Sequence, residues 1–159
     1  MSFAATSPAT ATGERPDSAP DRPSVDVPSE MRKLSCEQLA GVTIVAVDDE
    51  ADGVNMIRRL LTDCGVSVRT ANSAAIAFEL VQAEPPMVLI SDIGMPGEDG
   101  YALIRRIRAL SAEQGNRTPA IALTAYARAA DRVKSLSAGF QMHLSKPIDP
   151  AELIASVAA

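Results

Sequence analysis

Short apolar runs alternate with amphipathic stretches from Gly41 to the end of the chain. Five of these runs have the length of a β-strand, at residues 42–47, 66–70, 87–91, 120–124 and 140–145. A segment with helical periodicity follows each run, which is typical of βα units wound around a parallel sheet. Apart from this alternation the sequence shows no internal repeat. The pattern therefore predicts a single α/β domain.

The composition of each run predicts where its strand lies in the sheet. VTIVAV, MVLIS and AIALT are almost wholly apolar, so both faces of these strands should be covered and the strands should be central. VSVRT and QMHLS alternate between polar and apolar residues, as edge strands do. Strands two and five at the edges agree with the flavodoxin-like, doubly wound strand order 2-1-3-4-5. In that order the first and third strands are neighbours.

The predicted helices carry recognisable signals. N-cap residues are expected before the second, third and fifth helices, at Ser73, Asp99 and Asp149. The apolar side of the second helix is expected to carry Ile76, Ala77, Leu80 and Val81. Val133 and Leu136 are the large apolar residues of the fourth helix, which should be the least firmly anchored of the five.

Residues 1–40 differ in composition from the rest of the chain. They contain five of the eleven prolines and have no hydrophobic period. A segment of this kind buries too little apolar surface to offset the entropy lost on ordering. We therefore predict a disordered leader or linker over residues 1–40 and one domain over residues 41–159.

The net charge and the two cysteines indicate which partners and which cellular setting to expect. A formal net charge of -5 and a pI near 4.9 argue against non-specific binding to nucleic acid. No stretch has the apolar length of a signal peptide or a membrane span. Cys36 and Cys64 are not expected to form a disulfide framework; Cys64 is expected to be a small core residue. These features predict a reducing, cytoplasmic setting without membrane attachment.

Charged residues follow three of the predicted strands. Asp48 and Asp49 end the first strand, Asp92 ends the third, and Lys146 follows the fifth. The carboxyl ends of parallel strands share one edge of the sheet, where open α/β folds bind their ligands. Two carboxylates about 5 Å apart repel each other by about 3 kcal/mol at an effective dielectric constant of 20. Either a raised pKa or a bound cation is therefore expected, and oxygen ligands of this kind suit Mg²⁺.

Four motifs carry a resemblance to a known family. VDDE, SDIGMPGEDGY, ALTAYA and LSKP occur in the order and spacing of the receiver domains of two-component response regulators, the CheY-like superfamily. The chain from about residue 42 to residue 158 resembles these domains, and most of all those attached to hybrid sensory histidine kinases. The resemblance implies that Asp92 accepts a phosphoryl group from a phosphohistidine. It also implies that Asp49, Asp92 and the backbone carbonyl of Gly94 ligate Mg²⁺ directly, and that Asp48 acts through a metal-bound water.

The resemblance also assigns roles to residues around the acceptor. Lys146 would contact the phosphoryl oxygens, and Thr124 would donate a hydrogen bond to them and move its loop. The bond between Lys146 and Pro147 corresponds to the family's cis peptide, which directs the ammonium group into the site. His143 occupies the switch position, where the family usually has Tyr or Phe, and it either swings in a similar way or couples more weakly. Tyr126 is expected to shield the acyl phosphate from water.

The expected function is that of a phospho-accepting module in a phosphorelay, without a DNA-binding output domain and without turnover of an external substrate. Its expected partners are a histidine kinase or a histidine phosphotransfer protein, an unidentified downstream protein and a second, phosphorylated copy, but neither nucleic acid nor a membrane. Three alternatives stay open. In the first, the chain is the detached receiver of a hybrid histidine kinase. In the second, it is a Mg²⁺-dependent phosphatase of the haloacid-dehalogenase type, and in the third it is a pseudo-receiver that only binds partners.

Overall fold

The computed structural model describes residues 36–125 and 128–159, which form a single sheet with helices on both faces. The strands are β1 (Thr43–Val47), β2 (Ser67–Ala71), β3 (Val88–Asp92), β4 (Ala120–Thr124) and β5 (Met142–Ser145). The helices are α1 (Ala51–Thr62), α2 (Ala74–Ala83), α3 (Gly100–Arg108), α4 (Ala129–Ala138) and α5 (Pro150–Ala158). A short 3₁₀ helix, Ala112–Gln114, precedes β4. Most of the predicted leader and Tyr126 lie outside the described residues.

The sheet confirms the predicted topology. Its strands are parallel throughout the described residues and follow the order β2-β1-β3-β4-β5. Every residue of β4 is buried, whereas the edge strand β2 is largely open to solvent. Val47 pairs with Ser91, and Asp92 pairs with Leu123. Because of this register, β1, β3 and β4 end side by side at one edge of the sheet.

Two apolar layers hold the helices against the sheet. The layer under α2 and α3 includes Leu89 and Ile104, and the layer under α1 and α5 includes Ile57 and Leu153. Full burial of one such side chain stabilises a fold by roughly 1.5–3 kcal/mol. In the part of the chain that the structure describes, the helices lack the length and apolar content that a membrane span requires.

The helix starts agree with the sequence signals. The side chains of Ser73, Asp99 and Asp149 accept hydrogen bonds from the backbone N–H groups of Ile76, Ala102 and Ala151. Each bond satisfies one of the N–H groups that a helix leaves without a partner in its first turn. The N-cap predictions are therefore confirmed.

One predicted core residue of α2 is exposed, and α4 buries neither of its large apolar residues, in agreement with its predicted weak anchoring. Ile76 is 43% exposed, while α2 packs through Ala77 and Val81. In α4, Val133 and Leu136 are 61% and 47% exposed, and the one buried residue is Ser135. The Ser135 hydroxyl donates a hydrogen bond to a backbone carbonyl of the preceding turn, so its burial leaves no unsatisfied group.

The prediction that the cysteines form no disulfide is wrong, because Cys36 and Cys64 are bonded to each other with a Cα–Cα distance of 4.9 Å. Cys64 is nevertheless buried in the core, as predicted. Residues 36–38 are helical, and Leu39, which falls in the predicted leader, is buried in the core. The N–H of Gly41 donates to the carbonyl of Gly65 at 3.1 Å. These contacts place the chain before β1 beside the end of α1. The cysteines thus give no argument for a reducing setting.

Gly100, the first residue of α3, packs too closely against the end of β3 to carry a side chain. A Cβ here would lie 2.5 Å from the carbonyl oxygen of Asp92 and 2.9 Å from the Cα of Ile93. We expect Gly100→Ala to lower the free energy of unfolding by about 2 kcal/mol, as overpacking does. Urea denaturation measures this change. Gly94→Ala is the control, because a Cβ there meets nothing within 4 Å. Equal effects of the two substitutions would contradict the prediction.

Candidate functional site

The acidic strand ends converge as the sequence predicts. Asp48 and Asp49 follow β1 and Asp92 ends β3, and one carboxylate oxygen from each lies within 4.8 Å of the others. Asp48 and Asp92 are 1% and 5% exposed, whereas Asp49 is open to solvent. We call these three residues the carboxylate cluster. Its oxygens are close enough together to hold one metal ion.

Lys146 places a positive charge between two members of the carboxylate cluster. Its Nζ lies 3.1 Å from Oδ2 of Asp48 and 3.2 Å from Oδ1 of Asp92. Its backbone N–H donates to the carbonyl of Thr124 at 2.7 Å, and its peptide bond to Pro147 is cis, as predicted. One ammonium group is therefore shared by two buried carboxylates from neighbouring strands.

The start of α1 fixes the Asp48 carboxylate. A Cβ on Gly53 would lie 2.8 Å from Oδ2 of Asp48, so the helix backbone packs directly against this side chain. The N–H of Glu50 donates to Oδ1 of Asp48 at 3.0 Å. Oδ2 accepts from Lys146. Both oxygens of Asp48 are therefore engaged by protein groups.

The pKa values show that one lysine does not neutralise the carboxylate cluster. Burial and the charge of Asp48 raise the pKa of Asp92, although Lys146 and a hydrogen bond from the backbone of Gly94 oppose the rise. Burial acts to lower the pKa of Lys146, but its hydrogen bonds and charge interactions with Asp48 and Asp92 outweigh that effect and raise it. The ionised form of Asp92 remains unfavourable, which is the electrostatic condition that favours a second cation.

The raised pKa of Asp92 predicts how stability depends on pH. The folded state binds this proton more tightly than the unfolded state, so the free energy of unfolding falls as pH rises from 3.8 to the raised pKa. Below pH 3.8 the ionisation of Asp92 takes nothing from the free energy of unfolding, and above the raised pKa the loss of stability is constant. Asp92→Asn removes the charge and should make the metal-free protein more stable at neutral pH, with a gain that disappears in acid. Urea denaturation in chelator at several pH values measures the gain, and parallel profiles for both proteins would contradict it.

A cleft of about 530 Å³ opens over the strand ends. The predicted site residues that line it are Asp49, Asp92, Gly94, Thr124 and Lys146. Thr124 is 6% exposed and stands at the end of β4, one residue beyond the partner of Asp92 in the sheet. The structure thus brings Asp49, Asp92, Thr124 and Lys146 to a single opening, whereas Asp48 is not among the described residues that line it.

Of the two predicted tuning residues, the structure describes His143 and leaves Tyr126 outside the described residues. His143 lies in β5, where it pairs with Ala122, and it is not among the described residues that line the cleft. Its role as a switch stays a prediction. Tyr126 lies outside the described residues, so its shielding role also stays a prediction.

Sequence reasoning missed three residues that line the cleft, namely Tyr101, Asp131 and Lys134. Tyr101 directly follows the Asp99-Gly100 pair that begins α3, and this position was the available signal for it. Asp131 and Lys134 belong to α4, whose sequence did not indicate which face turns toward the site.

The chain belongs to the response regulator receiver domain family, whose model matches residues 44–158. An uncharacterized 14.6 kDa protein of Leptolyngbya boryana is 46% identical over 118 residues, which cover 74% of this chain and 88% of that protein. Hybrid signal transduction histidine kinase D of Dictyostelium discoideum is 35% identical over 125 residues, which cover 75% of this chain but only 8% of the kinase.

A solved structure of a receiver domain has a similar fold. The receiver domain of a sensor histidine kinase from Pseudomonas aeruginosa PAO1 is 34% identical, with a TM-score of 0.67, and the match covers 74% of this chain and 95% of that domain. That structure has a magnesium ion coordinated in the active-site cleft. The interpretation of the sequence as a receiver of two-component signalling is confirmed.

Proposed function

We propose that Asp92 of this receiver domain accepts a phosphoryl group from a phosphohistidine of a histidine kinase or a histidine phosphotransfer protein. The observation that carries this proposal is the position of the Asp92 carboxylate. It is buried within the carboxylate cluster, lies 3.2 Å from the Lys146 ammonium and opens into a cleft large enough for a phosphoryl donor.

The chemistry requires a nucleophile and charge neutralisation. A carboxylate oxygen of Asp92 forms a bond to phosphorus, the bond from phosphorus to the donor imidazole breaks, and the ring nitrogen keeps the electron pair. Transfer of this kind depends on positioning and electrostatics more than on acid–base catalysis. Lys146 offsets charge on the phosphoryl oxygens, and the Thr124 hydroxyl donates a hydrogen bond to them. The resulting shift of the loop after β4 is the proposed signal.

The donor set fits Mg²⁺, a cation that prefers carboxylate, carbonyl and water oxygens. Asp49, Asp92 and the backbone carbonyl of Gly94 would ligate it directly. Asp48 would act through a water, because Lys146 and a backbone N–H already engage its oxygens. When bound, the ion neutralises charge on the transferring group. The raised pKa of Asp92 supports a need for this second cation.

Mg²⁺ is expected to stabilise the folded protein. Binding to the native state alone adds about 2.7 kcal/mol at a hundred times the dissociation constant. Asp49→Asn removes an exposed ligand and should abolish most of the rise in melting temperature that Mg²⁺ causes. Asp52→Asn is the matched control, since Asp52 is an exposed acid of α1 outside the carboxylate cluster. A similar loss of the Mg²⁺ response in both variants would contradict the assignment.

Phosphoryl transfer from kinases tests the proposed function. The protein is incubated with Mg²⁺ and a panel of radiolabelled, autophosphorylated histidine kinases. Label is expected to move to the wild type and to Asp52→Asn, but not to Asp92→Asn. Transfer to Asp92→Asn at the wild-type rate would refute the proposal, and so would a wild type that accepts no label from any kinase or small phosphodonor.

The proposal extends to partners and location. The exposed Val133 and Leu136 of α4 offer an apolar surface to a downstream protein or to a second phosphorylated copy. The chain acts either alone or as the receiver of a hybrid histidine kinase with residues 1–40 as its linker.

We place the protein in the cytoplasm, where kinases find ATP. A permanent Cys36–Cys64 disulfide in cells would speak against that location, because stable disulfides are rare there.

A further inference from the structure

A second lysine borders the cleft. The Nζ of Lys134 lies 4.6 Å from the centre of the Tyr101 ring, and both residues line the cleft together with Asp92 and Lys146. Lys134 belongs to α4, whereas Lys146 follows β5. Two lysines from different elements of the fold therefore line the same cleft as Asp92.

The Tyr101 ring has a fixed position. Tyr101 is the second residue of α3 and is 7% exposed. The helix start is held by the Gly100 N–H, which donates to the carbonyl of Ile93 at 3.0 Å, and by the close packing of Gly100 against Asp92. Cation–π attraction at exposed positions is weak, so the ring keeps Lys134 at the cleft without binding it tightly.

The surroundings of Lys134 favour a negatively charged partner. Within residues 36–125 and 128–159 the Lys134 contact that the structure shows is with the ring rather than with a carboxylate. A phosphoryl group on Asp92 adds about two negative charges, which attract an ammonium group far more strongly than a neutral ring does. The flexible four-carbon stem of lysine allows the group to change partners.

The helix that carries Lys134 is weakly anchored. Its large apolar residues, Val133 and Leu136, are exposed, and Ser135 is its one buried residue. A small displacement of α4 therefore breaks few apolar contacts. Elements of this kind are the ones that move in conformational switching.

We propose that Lys134 is a second phosphoryl-binding residue, whose ammonium leaves the Tyr101 ring and pairs with the oxygens of a phosphoryl group in the cleft, drawing α4 toward the site. The inference builds on the proposed phosphorylation of Asp92. It gives α4 a direct electrostatic link to the chemistry, in addition to the hydrogen bond proposed for Thr124.

The test compares Lys134→Gln with Arg132→Gln, a neutralised cation on the same helix that is exposed and does not line the cleft. Each protein is treated with acetyl phosphate and Mg²⁺, and the rate at which label is incorporated is measured. We expect Lys134→Gln to be labelled about fivefold more slowly than the wild type, the size of effect that one partly screened ion pair gives. Arg132→Gln should match the wild type.

Hydrogen exchange of α4 provides a readout that does not depend on turnover. With Mg²⁺ and beryllofluoride, a phosphoryl mimic, the amides of α4 should become more protected in the wild type and in Arg132→Gln but not in Lys134→Gln. If the wild type takes up label, but all three proteins show the same labelling rate and the same protection of the α4 amides, this inference is overturned and the proposed function is not. A wild type that takes up no label would overturn both the inference and the proposed function.

Discussion

Lys146→Gln is expected to slow phosphorylation of Asp92 by about a hundredfold, the loss that follows removal of one pre-positioned electrostatic group. The ammonium lies within 3.2 Å of two buried carboxylates and is shared between them. Without it, the pKa of Asp92 loses its main lowering influence, so less of the nucleophile is ionised. Labelling by acetyl phosphate in Mg²⁺ measures the rate.

Lys134→Gln is the internal comparison for that substitution, because it removes the same charge from another residue that lines the same cleft. The expected effects differ by more than tenfold, about a hundredfold for Lys146 and about fivefold for Lys134. Circular dichroism establishes that both variants are folded. A loss at Lys146 no larger than the loss at Lys134 would contradict the central role given to Lys146.

Reduction of the Cys36–Cys64 disulfide is expected to lower the free energy of unfolding by about 3 kcal/mol. The two cysteines are 28 residues apart, and closing a loop of that length restricts the unfolded chain by about this amount in the chain-entropy model. The bond also ties the segment that contains the buried Leu39 to the end of α1. Urea denaturation with and without a thiol reductant measures the difference.

The Cys36→Ser variant provides the control for reduction. It should be less stable than the oxidised wild type by a similar amount and should no longer respond to the reductant. Its Mg²⁺-induced stabilisation should be kept, because the contact between α1 and the site is made through Gly53, near the opposite end of that helix from Cys64. A reductant that leaves the wild-type denaturation curve unchanged would contradict a stabilising disulfide.

The parts of the fold that depend on local pattern were predictable from the sequence. Apolar runs of strand length gave the central strands, alternating runs gave the edges, and N-cap residues gave the helix starts. Parallel strands end at a common edge, so the residues that follow Val47 and Ser91 had to approach each other. The carboxylate cluster could therefore be located from sequence and topology together.

The features that escaped prediction depend on how separate elements meet. The disulfide requires the segment before β1 to pack beside α1, and no local pattern specifies that contact. The exposed Ile76 reflects the rotation of α2 about its axis, which is set by close packing of small residues. The contact between Lys134 and Tyr101 joins α3 to α4 across the cleft and is visible only in three dimensions.

The carboxylate cluster also explains why the site needs two kinds of cation. Lys146 is a permanent part of the chain and forms ion pairs with both Asp48 and Asp92, yet the pKa of Asp92 stays raised. Asp49 is exposed at the same edge and has room for a mobile ion. A divalent ion beside the lysine would further favour the ionised form of Asp92, the form that acts as the nucleophile.

Location of the modified residue tests the central claim most directly. The protein is treated with acetyl phosphate in the presence of Mg²⁺ or of a chelator, the acyl phosphate is trapped by borohydride reduction, and mass spectrometry of peptides identifies the modified side chain. We predict modification of Asp92 alone, and only when Mg²⁺ is present. Modification of Asp48 or Asp49, or labelling of Asp92 that is equally fast in chelator, would contradict the proposed site.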